Sequence, residues 1–126
     1  MKIRQCILIE PFTCRETDSI VTVAKKLREI SLRHIFVVDE TGYPQGIISM
    51  TDINNRVVAE GKDATNLKAK DIMTAPIDVA DIDDDIEQWH ATMTEKNHVM
   101  EAVVEKGKMK GIVTIHQIIK NREKHE

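Results

Sequence analysis

The chain has 126 residues, of which 18 are Lys or Arg and 21 Asp or Glu, for a formal net charge of -3. That balance argues against a general nucleic-acid binder, which needs a basic face to displace phosphate counterions. At 41% hydrophobic and 31% charged, the chain reads as globular, with the length of one ordinary domain or two very small ones.

The elements are expected in the following order. Cys6-Ile7-Leu8-Ile9 reads as a buried strand, being too short for a signal-peptide core and lacking a small-residue cleavage site. Ile20, Val23 and Leu27 recur at helical spacing and predict a helix over residues 18–31, with Thr17 or Asp18 as N-cap. Strands are expected at 35–39 and 45–48, joined by a hairpin-like link at 40–44. A helix over 50–59, ended by Gly61, leads to a polar linker at 62–66 and a short helix at 68–73. The series then repeats. A helix is expected at 84–96 on Ile86, Trp89 and Met93, strands at 102–105 and 109–113, and a helix at 115–122. The tail at 123–126 is charged and expected to fray. No apolar run approaches the roughly 20 residues of a membrane span.

The repetition is the organising feature. One copy begins at Pro11 and the other at Pro76. Each carries an acidic helix start, a β-branched pair (Val37-Val38, Val103-Val104), and then Gly46-Ile47-Ile48-Ser49 or Gly111-Ile112-Val113-Thr114. The copies divide the chain into 1–62 and 63–126. Neither is large enough alone to bury a good core. The expected fold class is therefore mixed α/β (α+β), two β-α-β-β-α units packed sheet to sheet with pseudo-twofold symmetry and clefts between them.

Ser49 ends a strand and opens a helix, where free N–H groups and the positive dipole end suit a phosphate. Asp52, one turn on, can accept from two ribose hydroxyls. Ser49-x-x-Asp52 and Thr114-x-x-Gln117 are also capping boxes. On spacing alone capping is the stronger reading; recurrence after a Gly-led strand favours a ligand at the first and leaves the second open between the two readings. Arg33 and His34 precede a strand; in isolation they read as a solvated strand entrance, and within a paired arrangement of the copies as cations for a phosphate. His90 reads as a packed side chain, the acidic run 81–85 as a solvated helix start, and Met73, Met93, Met100 and Met109 as core or interface filler.

Cys6 and Cys14 match no metal or redox spacing and read as buried thiols in a reducing cytoplasm. His98, His116 and His125 form no metal motif, so no metal is expected. With only Trp89, Tyr43, Phe12 and Phe36 as aromatics, stacking platforms for nucleic acid are few. No nucleophile elbow, glycine-rich phosphate loop or catalytic dyad is present, so the chain is expected not to be an enzyme.

Two stretches carry a resemblance to a known family. Gly46-Ile47-Ile48-Ser49-Met50-Thr51-Asp52-Ile53 and Arg33-His34-Ile35-Phe36-Val37-Val38-Asp39 in the first copy, with Asp71-Ile72-Met73-Thr74-Ala75-Pro76 opening the second, resemble the CBS domain. Two in tandem resemble a CBS pair, or Bateman module. The resemblance implies a cytoplasmic, non-catalytic sensor that binds AMP, ADP or ATP, with S-adenosylmethionine as an alternative ligand. It also implies a homodimer and a separate effector protein. Carried onto this chain, it places Ser49, Thr51, Asp52, Thr74, Ile77, Met100 and Glu101 in a first cleft. The second cleft would hold Ile9, Phe12, Arg33, His34, Thr114, His116 and Gln117. Gln117 departs from the family's Asp, and a ligand-free dimerisation or interaction scaffold is the rival reading.

Overall fold

The computed structural model describes residues 1–30 and 33–123; the helix end expected at Ser31, most of the expected tail and His125 lie outside them. A 3-10 turn (Ile3–Gln5) is followed by β1 (Thr13–Arg15), α1 (Ile20–Glu29), β2 (His34–Val38), β3 (Pro44–Ser49) and α2 (Met50–Ile53). A π-helical turn (Asn54–Val58) continues α2. Then come α3 (Ala69–Ile72), β4 (Val79–Asp81), α4 (Ile86–Lys96), β5 (Met100–Glu105), β6 (Lys108–Thr114) and α5 (Ile115–Glu123). Two three-stranded sheets result, ordered β1-β2-β3 and β4-β5-β6. In each, the first pair is parallel and the second antiparallel. The fold is thus mixed α+β, built from a repeated β-α-β-β-α motif.

The central strands explain their own sequences. β2 and β5 are paired on both edges and buried along most of their length, so neither alternates, although Glu101 interrupts the apolar run in β5. Each hairpin carries a bulge at the same place: register shifts between Val37 and Val38 and between Val103 and Val104. Gln45 and Lys110 are the extra residues.

The compact units cut across sequence order. One holds residues 12–77, the other 1–11 together with 78–126. In the unit of residues 12–77, Thr74 bridges Ile47 of β3, with Thr74 N donating to Ile47 O at 2.9 Å. Ile20 N, at the start of α1, donates to Leu67 O, and Ala69 N to Asp18 O. In the other unit Ile9 bridges Ile112 of β6 at 2.8 Å, Ile86 N donates to Met1 O, and Ile3 N to Asp84 O. The bonds match one for one. The segment before each repeat's β1 or β4 therefore docks on the edge strand of the other repeat's sheet.

Both signature glycines exist for this docking. A Cβ at Gly46 would lie 2.8 Å from Thr74 O and 2.7 Å from Met73 Sδ. At Gly111 it would lie 2.9 Å from Ile9 O. A methyl group there collides with backbone, which cannot rotate away as a side chain can.

Each unit has its own core. Cys14, Ile20, Val23, Leu27, Ile35, Val37, Ile48, Val57, Ala69 and Ile72 form one. Ile3, Cys6, Ala80, Ile82, Ile86, Met93, Val103, Val113 and Ile118 form the other.

Several sequence expectations are corrected. Cys6 to Ile9 is not a regular buried strand: Ile7 is 72% exposed, and only Ile9 makes a bridge. The segment meets β6 at one point, so alternation is lost. The N-cap of α1 is Ser19, whose Oγ accepts from Thr22 N, because Asp18 Oδ2 is already taken by Arg15 N in the preceding turn. The expected helix over 50–59 is α-helical for one turn only before it widens. The acidic run is not simply solvated, since Asp84 Oδ2 accepts from both Asp81 N and Trp89 Nε1, and Asp83 pairs with Arg4.

Ile3 is fully buried and Ile7 is not. Ile3→Ala should cost about 2–4 kcal/mol in urea unfolding, the range for a truncated core isoleucine. Ile7→Ala should stay within about 0.5 kcal/mol of wild type. Equal costs would contradict the docking of residues 1–11 into the second core.

Candidate functional site

The unit of residues 12–77 gathers its chemistry where β3 becomes α2. Ser49 Oγ accepts from Asp52 N at 3.0 Å, and Asp52 Oδ2 accepts from Ser49 N at 2.8 Å. This reciprocal cap uses one carboxylate oxygen. The other, Oδ1, lies 3.8 Å from Arg56 Nε, and Arg56 Nη1 donates to Ile72 O, tying the π turn to α3. Thr51 is exposed on the first turn, while Ser49 and Asp52 are half-buried.

Arg33 and His34 sit beside this helix start. His34 is the cross-strand partner of Ser49, and Met50 N donates to Arg33 O at 3.1 Å. Cross-strand neighbours share a sheet face with Cβ atoms about 5 Å apart. Thr74 adjoins β3 through its bridge to Ile47, and Phe12 and Ile77 bound the same unit. The sequence separates Arg33 and His34 from Ser49 as members of different clefts; the structure puts all three in one unit.

The unit of residues 1–11 and 78–126 has the same frame with different chemistry. Gln117 N donates to Thr114 Oγ1 at 3.2 Å. Met100 pairs across the ladder with Thr114, and Ile115 N donates to Val99 O. Val99 and Met100 thus occupy the places of Arg33 and His34. Ile9 adjoins β6 and His116 is exposed. Glu101 is 4% exposed, and its Oε1 lies 2.6 Å from His98 Nδ1. Burial pushes its carboxyl up, with His98 opposing. His98, Lys96 and Asp78 carry no long-range sequence signal; only the His98-x-x-Glu101 spacing could have pointed to them.

Other features of the chain serve structure. Arg4 Nε donates to Asp83 Oδ1 at 3.0 Å and Arg4 Nη2 to Glu105 Oε2 at 2.7 Å, so Arg4 holds the Asp83 carboxyl below its usual range. His90 lies 3.1 Å from Arg122 Nη1, half-buried. An open cavity of about 680 Å³ is bordered by Thr13, Arg15, Lys26, Asp39 and Thr41, among others, and includes none of the predicted site residues. No helix among the described residues is long and apolar enough to cross a membrane.

Both cysteines are free and buried. Burial, helped by Asp18, pushes the Cys14 thiol from 9.0 to about 12. A raised folded-state value means the native thiol stays neutral where an unfolded one ionises. Cys14 should therefore resist iodoacetamide at pH 8 until the protein is unfolded in urea. Its contribution to stability should be complete below pH 9 and decline as pH rises toward 12. Native-state labelling as fast as that of the unfolded chain would contradict this packing.

Comparison with known proteins agrees with this architecture. The chain is 32% identical over 104 residues to an uncharacterized protein of Methanopyrus kandleri, which covers 82% of this chain and 53% of that protein. The chain thus spans about half the length of this relative. Among solved structures, Hypoxic Response Protein I with two coordinated zinc ions superposes with a TM-score of 0.81, at 21% identity, covering 95% of this chain and 98% of that one. The CBS domains of a transcriptional regulator from Streptococcus pneumoniae give 0.76 at 17% identity, covering 95% and 98%. The CBS domain model matches residues 3–59 and again 69–124, and with both repeats accounted for, the chain belongs to the CBS domain family as a tandem pair.

Proposed function

We propose that this CBS pair is a regulatory, non-catalytic module that binds an adenine nucleotide (AMP, ADP or ATP) and reports it to a separate effector protein. The observation that carries this reading is the helix start at Ser49. A capped N-terminus, a carboxylate with one oxygen outside the cap, and Arg33 and His34 on the adjoining strand meet in one unit. Phosphate suits the helix N–H groups and the cations; ribose hydroxyls suit Asp52. Thr51, Thr74 and Ile77, in the same unit, belong to the same proposed site. Thr114, His116 and Gln117, with Ile9, form a second and weaker site in the other unit, because an amide at Gln117 lacks charge assistance. Ligand acts by shifting population toward a state the effector reads. S-adenosylmethionine is the alternative ligand.

Isothermal titration with AMP, ADP, ATP and S-adenosylmethionine tests this. Loss of a charge-assisted hydrogen bond costs about 1.5–3 kcal/mol, so Asp52→Ala and Arg33→Ala should each weaken binding roughly 10- to 100-fold. Gln117→Ala should weaken it by roughly fivefold or less. Heat with none of the four ligands would refute the proposal.

Exposed apolar side chains favour self-association. Met50 and Val58, along α2 and its π turn, are 57% and 65% exposed, and we place them in a homodimer interface. Light scattering should give a dimer for wild type and a monomer for Val58→Glu. If no nucleotide binds and the dimer persists, the ligand-free scaffold reading replaces the sensor.

A further inference from the structure

The geometry points to a divalent transition-metal site formed by Asp78, His98 and Glu101, of the class that takes Zn²⁺. Each residue offers one ligand atom, and these atoms lie within 4.8 Å of one another. His98 Nδ1 is 2.6 Å from Glu101 Oε1 and 4.0 Å from Asp78 Oδ2. One imidazole nitrogen with two carboxylate oxygens is a borderline donor set, which suits Zn²⁺ better than Mg²⁺ or Ca²⁺.

Comparison of the two repeats shows that this cluster is not a default of the fold. By strand register, Glu101 takes the place of Ile35, a core residue 1% exposed. Continuing along the chain, His98 takes the place of Leu32, Lys96 of Ile30 and Asp78 of Phe12. Four apolar positions in one copy have become four ionisable ones in the other. A carboxylate buried to 4% exposure is costly unless something cationic holds it. Lys96 does not do so directly, because its Nζ sits 2.6 Å from Asp78 Oδ2 instead. The group nearest Glu101 is the imidazole, and a metal ion bound at Nδ1 would bring the two carboxylates a shared positive partner. Asp78 and His98 remain 33% and 39% exposed, which leaves an entry path and an open coordination position, as in sites with three protein ligands.

This site stands independently of nucleotide binding, so its test contains no nucleotide. The full chain, stripped with chelator, is titrated calorimetrically with ZnCl₂ alone. Co²⁺ absorption serves as a second readout of the coordination sphere. The expected result is one Zn²⁺ per chain and intense visible Co²⁺ bands. His98→Ala should weaken binding by more than roughly 10-fold and abolish the bands, since even partners outside the coordination sphere are worth that much. His98 is exposed enough for this variant to fold, which circular dichroism checks. His90→Ala should bind Zn²⁺ as wild type does. No Zn²⁺ binding in wild type, or binding that His98→Ala leaves intact, overturns the proposal.

Discussion

Everything in this fold depends on a short antiparallel contact made twice, Thr74 on Ile47 and Ile9 on Ile112. Each contact has two backbone hydrogen bonds and is feasible only because a glycine precedes the bridged residue by one position. The docked segment leads back to a helical turn that inserts Ile72 or Ile3 into a core. It also fixes the edge of the strand that ends at Ser49 or Thr114. The helix starts at Ser49 and Thr114 are thus positioned by chain that comes from elsewhere in the sequence. A perturbation of residues 1–11 is felt in the core of Val113 and Ile118.

The same frame carries two different chemistries. Backbone bonds around both helix starts coincide, down to Met50 N on Arg33 O and Ile115 N on Val99 O. Only the side chains differ. Asp52 returns a hydrogen bond to Ser49 N, whereas at Thr114 the bond from Gln117 N is the cap. A capping box and a ligand compete for the same donors, so a ligand must offset roughly 0.5–2 kcal/mol of capping at Ser49. A phosphate with a nearby guanidinium and imidazole has the charge to do so. At Thr114 the neighbours are Val99 and Met100, and that advantage is missing.

Much of this was legible in the sequence. Apolar spacing located α1, α4 and both hairpins, and duplication gave the repeated motif. What escaped it has physical causes. Ser19 and Asp18 are both competent caps, and the choice depends on Arg15 N, a contact visible only in the folded turn. Cys6 to Ile9 is apolar like a strand, but a single bridge does not impose alternation, and Ile7 points outward. The π turn after Ile53 has no propensity signature, since it follows from Arg56 reaching Ile72 O and Val57 reaching the core. The burial of Glu101 was not legible, because a carboxylate in a strand gives no signal of the core face it occupies.

The divergence between the repeats has a consistent direction. The unit of residues 12–77 places Arg33 and His34 around its helix start and keeps Ile35 in its core. The other unit removes the cations from the equivalent strand and buries a carboxylate at the position of Ile35. Cationic side chains therefore flank the helix start in one unit, and a buried carboxylate stands on the equivalent strand in the other. Glutamate at that position carries a desolvation cost that an apolar residue such as Ile35 avoids altogether. Within the unit that cost is offset first by the His98 imidazole, whose Nδ1 lies 2.6 Å from Glu101 Oε1.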